Sequence, residues 1–396
     1  MQSDIGNFLS LGYYLDYPNN LNFDGVTINE SKYEKANADD LLSIADEIIS
    51  SIFDDLYISG ILKELVIPLS GGLDSRLLLS VLLRYYEAKD VNTFTFGSKG
   101  SYDYDIANKI AFDIGTSHIS LDLSKCEFSI ESLLFDNNVI NGQSALFYST
   151  PFFEIEKIYG KGLSFLSGFM GDPVAGSKLQ KVEIPRDKVC SAFYKKNRIT
   201  NLVGDEEINL SYVECKIIEG LSMYESIDFF NRQAKYVLPH VTPNNNYISP
   251  FLDKRWLEFW LSLPKEYRLD TKLYNRYCVK KHERLFSFPV RNLHNNKIGS
   301  NAFSVLYNRS DNLFRLRMSE ILGRYYLDKR TNYFDFNSKL NQSREFKKNV
   351  MYLIDTGLLY AEKNGVLIKG ISKEKMNTYD LIVLASLGVQ AIEKQN

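Results

Sequence analysis

Cysteine is scarce in this chain, and the four present, Cys126, Cys190, Cys215 and Cys278, lie far apart with no Cys-x-x-Cys pair. That spacing indicates neither a zinc site nor a dithiol redox motif. It reads instead as free thiols in a reducing, cytoplasmic setting. The four histidines, His118, His240, His282 and His294, form no metal-spaced pair and read as structural. No charge of one sign dominates: 47 Lys+Arg against 49 Asp+Glu leaves a net charge of −2. There is no global basic field, so no nucleic-acid partner is expected. No apolar run approaches the roughly 20 residues that span a bilayer. Residues 1–7 lack a basic segment followed by an apolar one, so no signal peptide is expected. Internal repeats and low-complexity segments are absent too.

What is present is an ordinary globular composition, 44% hydrophobic and 24% charged over 396 residues. That length suits two domains or one large domain with additions. Residues 1–36 read as a lead-in, with turn-rich stretches at 9–14 and 20–25. Residues 37–290 alternate strand and helix signals. Residues 291–396 read as a helical C-terminal extension. Asn37 caps a helix through residues 41–53, where apolar positions follow helical spacing. Strands are expected at 64–69, 91–97, 117–123 and 163–166. Helices follow at 75–86 and from Asp103 or Asp105 to the stop at Gly115. Strands alternating with helices predict an α/β, doubly wound, mainly parallel sheet. Such a sheet binds ligands at the carboxyl ends of its strands. Later segments at 222–236, 254–263 and 272–285 read as helices, 243–246 and 292–301 as loops. Residues 379–387 read as a terminal amphipathic helix docked on the body.

The most informative stretch runs from Leu65 to Arg84. An apolar run stops at Ser70, Gly71 and Gly72 follow, and a helical pattern starts at once. A strand, a tight turn and a helix N-terminus form a geometry suited to an anion. The glycines allow close backbone approach and φ values closed to other residues. The hydroxyls of Ser70 and Ser75 face the anion in this reading. Asp74 puts a carboxylate in the same place, which makes sense if Mg²⁺ bridges it to phosphates. There is no Walker sequence and no lysine within the loop.

Ser70-Gly-Gly-Leu-Asp-Ser75 resembles the pyrophosphate loop of the N-type ATP pyrophosphatases, which split ATP between the α and β phosphates. Further motifs narrow the resemblance. Residues 166–176, Leu-Ser-Gly-Phe-Met-Gly-Asp-Pro-Val-Ala-Gly, are similar to the Ser-Gly-x-Gly-x-Asp-Glu segment of asparagine synthetases. Ser249–Asp253 and Trp256–Pro264 are similar to their Pro-Phe-Leu-Asp block, and Lys272–Arg276 to the Lys-x-x-x-Arg helix start. Residues 94–97, 105–111 and His118 match the intervening strand and helix. The order holds over roughly residues 60–285, and the chain resembles the synthetase domain of the asparagine synthetase superfamily. β-Lactam synthetases and lasso-peptide cyclases share that domain.

The resemblance implies an adenine nucleotide alpha hydrolase-like fold and, as cofactors, ATP and Mg²⁺. It implies that Asp74 and Asp172 hold the metal, with helix N-capping the competing role for Asp172. Leu69, Ser70, Gly71, Gly72 and Ser75 then cradle pyrophosphate. Phe94, Thr95, Phe96 and Gly97 line the adenosine pocket, and Ser167 and Gly168 complete the nucleotide site. Lys272 stabilises charge in catalysis, and Arg276 assists. Arg76, where the family has a serine, either touches phosphate or forms a salt bridge on its helix. Phe169 stands where the family carries a glutamate, and Pro173 where it carries another; both argue against plain asparagine synthesis. Residues 5–35 resemble the tail of a glutaminase domain. Gln2 replaces the nucleophilic cysteine, and no cysteine precedes Cys126, so the resemblance implies no glutamine hydrolysis. Nitrogen then comes from ammonia, from an amine directly, or through a separate glutaminase partner.

The implied activity is an AMP-forming amide ligase. Its substrate, by analogy, is a sugar-acid or peptide carboxylate from surface-polysaccharide or natural-product biosynthesis. The rivals are intramolecular closure to a macrolactam or β-lactam, and a degenerate member acting as a partner subunit. Sulfur or nitrogen transfer to tRNA is disfavoured by the missing cysteine pair and the missing basic surplus.

Overall fold

Strand β1 (Leu65–Pro68) alternates its side chains between two cores. Leu65 and Ile67 point into one, Val66 into the other. That period of two is what a strand covered on both faces requires. The computed structural model describes residues 4–19, 21–148, 150–241, 246–322, 326–331, 333–370 and 373–395. Gln2 and most of the 243–246 loop expectation lie outside the described residues.

Four further strands complete the sheet: β2 (Asn92–Gly97), β3 (Ser117–Asp122), β4 (Ser164–Leu166) and β5 (Tyr247–Ile248). Their order is β3-β2-β1-β4-β5, and every pairing is parallel. The expected doubly wound α/β fold is present. β5 has only two residues and carries no strand signal of its own.

Four early helices frame the sheet. α1 (Ile5–Leu11) lies in the stretch read as a lead-in and runs into the turn-rich segment 9–14; all seven of its residues are buried. α2 (Ala38–Ile58) starts where expected, with Asn37 Oδ1 accepting the N–H groups of Asp39 and Asp40. α3 (Asp74–Leu82) follows the Ser70 loop, and α4 (Tyr102–Ile114) ends at Gly115 in the left-handed region. α2, α3 and α4 share the first core with Trp256, Trp260, Tyr274 and Tyr277.

The second face is covered by the C-terminal helices Arg344–Lys363 and Thr378–Glu393. Leu381–Leu384 pack in the same core as Val66, Phe94 and Phe165. The terminal helix is not amphipathic in its setting: Asp380–Ala391 are buried without a break. It meets its neighbour through backbone contact, since a Cβ on Gly388 would lie 2.0 Å from the Leu353 carbonyl oxygen. Cys126 and Cys278 are buried, but folding brings Cys190 Sγ to 3.2 Å from Cys215 Sγ, a proximity their sequence separation hides.

Candidate active site at the ends of β1 and β4

From β1 the chain moves one way to β2 and β3, then returns on the other side as β4. The loops leaving β1 and β4 therefore diverge, and a crevice opens between them. A cavity of about 520 Å³ lies there, lined by Ser70, Gly72, Asp74, Ser75, Ser167, Gly168, Phe169 and Asp172 among others.

The Ser70 loop is ordered by its own polar groups. Ser70 N–H donates to Ser75 Oγ at 3.0 Å, and Gly72 N–H donates to Ser70 Oγ at 3.2 Å. Gly71 N–H donates to Asp103 Oδ1 at 2.9 Å. Neither Gly71 nor Gly72 has a positive φ, contrary to expectation. Their value is close approach: a Cβ on Gly71 would sit 3.2 Å from Asp103, and one on Gly72 3.2 Å from Ser70 Oγ.

Asp74 opens α3 and is wrapped by the turn that follows β4. A Cβ on Gly168 would lie 2.9 Å from Asp74 Cβ, and one on Gly171 2.5 Å from Asp74 Cγ. Only glycine lets that turn close. Tyr274 Oη donates to Asp74 Oδ1 at 2.7 Å, and Asp172 N–H donates to Asp74 Oδ2 at 3.3 Å. Burial, and then the charge of Asp172, push the Asp74 carboxyl up to about 8. Burial and the neighbouring Asp74 push the Tyr274 phenol far up, so it stays a donor. Asp172 occupies an N-cap position yet makes no capping hydrogen bond, which leaves its carboxylate to the cavity.

The residues expected around adenosine separate. Leu69 and Phe96 line the cavity. Phe94 is core, and Thr95 is buried with Oγ1 donating to the Leu69 carbonyl at 2.8 Å. Phe96 stacks on Tyr333 with centroids 5.4 Å apart. Gly97 faces the Tyr333 carbonyl, which accepts Ser98 N–H at 2.8 Å. Ser167 is buried with Oγ accepting the Phe169 N–H at 3.2 Å, and Phe169 is a buried apolar wall.

Two expected cations are not brought to the acidic pair. Lys272 is exposed on the first turn of the Lys272–Lys281 helix and does not line the cavity. Thr271, Tyr274 and Asn275 form the inward face; Lys272 and Arg276, four apart, share the outer one. Arg276 pairs with Asp39 at 2.8 Å on the surface. Arg76 is fully buried and takes neither expected role. Its guanidinium donates to the carbonyls of Gly71, Leu285, Phe288 and Pro289 at 2.9–3.4 Å, and burial lowers it to about 10.

The cation that does face the pair is Arg291, which sequence reasoning missed. Its Nη1 donates to Asp103 Oδ1 at 3.3 Å, and its N–H donates to the Gly71 carbonyl at 3.1 Å. Asp103 holds the guanidinium above its usual range, with Asp172 and Asp74 adding to the effect. A lone arginine at the edge of a stretch read as loop carries no periodic signal.

The donor set fits Mg²⁺. Two carboxylates from different crossovers face one cavity, and Mg²⁺ takes one or two carboxylates plus phosphate oxygens. No cluster of three or more His, Cys, Asp or Glu capable of an all-protein metal cage occurs among the described residues.

Fold and crevice define a doubly wound α/β domain with a hydroxyl- and glycine-rich loop at its switch point. The asparagine synthase family model matches residues 63–134, which carry β1, the Ser70 loop, β2, α4 and β3. The chain is also 24% identical over 236 residues to the glutamine-hydrolyzing asparagine synthetase 3 of Arabidopsis thaliana, covering 56% of this chain. The match spans 36% of that relative's length. Over these stretches the chain is similar to the synthetase part of asparagine synthetases. No helix among the described residues is long and apolar enough to cross a membrane.

Proposed function

We propose that this chain is an ATP-dependent amide ligase that releases AMP and pyrophosphate. A carboxylate oxygen of the acid substrate attacks the α-phosphorus of ATP, and the bond to the bridging oxygen of pyrophosphate breaks. Ammonia or an amine then attacks the acyl carbon of the adenylate. The carbon–oxygen bond to AMP breaks, and the nitrogen sheds a proton.

The observation that carries this reading is the meeting of Asp74 and Asp172 beside the Ser70 loop. A carboxylate pair in an anion site is electrostatically costly without a cation, as the upward shift of Asp74 records. Mg²⁺ held by Asp74 and Asp172 supplies charge neutralisation at the phosphates. The hydroxyls of Ser70 and Ser75 orient the leaving pyrophosphate. Arg291 replaces Lys272 as the cation that offsets charge growing in the transition state. Phe169 gives the acyl side an apolar wall where a carboxylate would recognise a charged amino acid. That favours an acid other than free aspartate.

The test is product analysis. The full chain is incubated with ATP, Mg²⁺ and a panel of sugar acids and peptide acids. AMP and pyrophosphate appear in equal amounts and depend on the acid. ADP in place of AMP overturns the reading.

A further inference from the structure

A second chamber of about 800 Å³ adjoins the first and shares Asp172, Pro173, Gln233 and Tyr333 with it. Its wall is built by the helix Phe229–Val237, whose hydrogen bonds run from i to i+5. Such helices are rare and concentrate at functional sites. The wider turn sets Arg232, Gln233, Tyr236 and Val237 on one face toward the chamber.

Four cations line this chamber: Arg330 pairs with Asp328 at 2.7 Å, while Lys178, Lys196 and Arg232 have no ion pair among the described residues. Lys196 sits over the ring of Tyr224 and Arg232 over that of Tyr236, at 5.0 and 5.6 Å. Asp228 is the carboxylate within their electrostatic reach; it is buried, accepts from Gln233 Nε2 at 2.7 Å, and does not line the chamber. Asp172, Asp328 and Asp335 also line the wall, which is net positive by one charge against its four cations, with Lys178 and Arg232 both within electrostatic reach of Lys196. Tyr13 also lines it, is 1% exposed, and its hydroxyl has no partner among the described residues. Buried hydroxyls rarely stay unpaired, so this one points to a polar ligand.

We propose that this chamber binds the far end of the acid substrate, and that this end is a ring bearing a second anion, a carboxylate or a phosphate. The assignment rests on the ligase reading for the identity of the first carboxylate. One carboxylate lies at Asp172 for activation while Arg232, Lys178 and Lys196 take the second anion. The ring packs on Tyr236, and Tyr13 donates to one of its oxygens. A protonated amine is repelled by the same three cations, so the chamber selects the acid and not the nitrogen donor.

Titration calorimetry on the full chain, with Mg²⁺ and a non-hydrolysable ATP analogue, tests this. Three probes are compared: glucuronate, its carboxymethyl glycoside with a second carboxylate on the intact ring, and glucuronate 1-phosphate. One doubly anionic probe is expected to bind about 10- to 100-fold tighter than glucuronate, the worth of a hydrogen-bonded charge. Which one does so names the second anion. Arg232→Gln and Lys178→Gln abolish the preference without weakening the ATP analogue. Tyr13→Phe, which keeps the packing, weakens all three probes about 3- to 10-fold, the worth of one hydrogen bond. Equal binding of the three probes, no binding, or a preference that survives Arg232→Gln overturns the proposal. A retained binding preference with no pyrophosphate exchange overturns the ligase reading alone.

Discussion

Asp74 and Asp172 come from different crossings of the sheet, yet Asp172 N–H donates to Asp74 Oδ2 at 3.3 Å. The glycine turn around Asp74 is what permits this. The chemistry therefore depends on residues that carry no functional group.

Gly171→Ala places a methyl 2.5 Å from Asp74 Cγ. The carboxylate or the turn must move, at an overpacking cost of about 1–3 kcal/mol. Displacement of this order costs about 100-fold in rate. Acid-dependent AMP formation is expected to fall by that factor with the circular dichroism spectrum unchanged. Wild-type turnover in this variant contradicts the geometry.

In the proposed mechanism Arg291 takes the charge-stabilising role that the resemblance implies for Lys272. Arg291→Ala is expected to lower kcat about 100- to 1000-fold, the usual loss for a preorganised charge partner. Lys272→Ala stays within about threefold, because its side chain is exposed. Steady-state kinetics on the two variants decide, and the reverse ranking restores the family assignment of Lys272.

Arg76 holds the 285–289 segment against the loop through four carbonyls. Arg76→Met removes the guanidinium from the carbonyls of Leu285, Phe288 and Pro289, while Gly71 keeps the Arg291 N–H, and each buried acceptor left unpaired costs about 1–3 kcal/mol. A drop of about 2–4 kcal/mol in urea-unfolding stability is expected. Unchanged stability with weakened ATP binding points to a direct phosphate contact instead.

His240 bears on acid stability. Burial lowers its imidazole to about 4, and its Nε2 meets the Ala145 carbonyl at 2.9 Å. The ring is neutral when folded and titrates near 6.5 when unfolded, so protonation favours unfolding. Its contribution is whole above pH 6.5 and is lost as pH falls toward 4, by up to about 3 kcal/mol. His240→Gln removes that part of the slope. A ring proton shift titrating near 6.5 in the native protein contradicts this.

Strands β1 to β4, the Asn37 cap and the Ser70 loop are legible in sequence because each is set by neighbours within a few residues. Asp172 is legible through the glycines around it. The partners of these residues are not. Tyr274, Asp103 and Arg291 reach the crevice only through the crossing of distant segments. The buried role of Arg76 is not legible because three of its four acceptors lie on a segment some 210 positions away. The terminal helix reads as amphipathic over residues 379–387. In the fold, Ser386 Oγ accepts the Leu146 N–H and Gln390 Oε1 accepts from Tyr14 Oη.

The central claim is carboxylate activation at the Asp74–Asp172 pair. Exchange of labelled pyrophosphate into ATP, driven by the acid in the absence of any amine, measures that step alone. The account predicts exchange in the native chain and its loss in both Asp74→Asn and Asp172→Asn, each still folded. Exchange that persists at the native rate in either variant contradicts it.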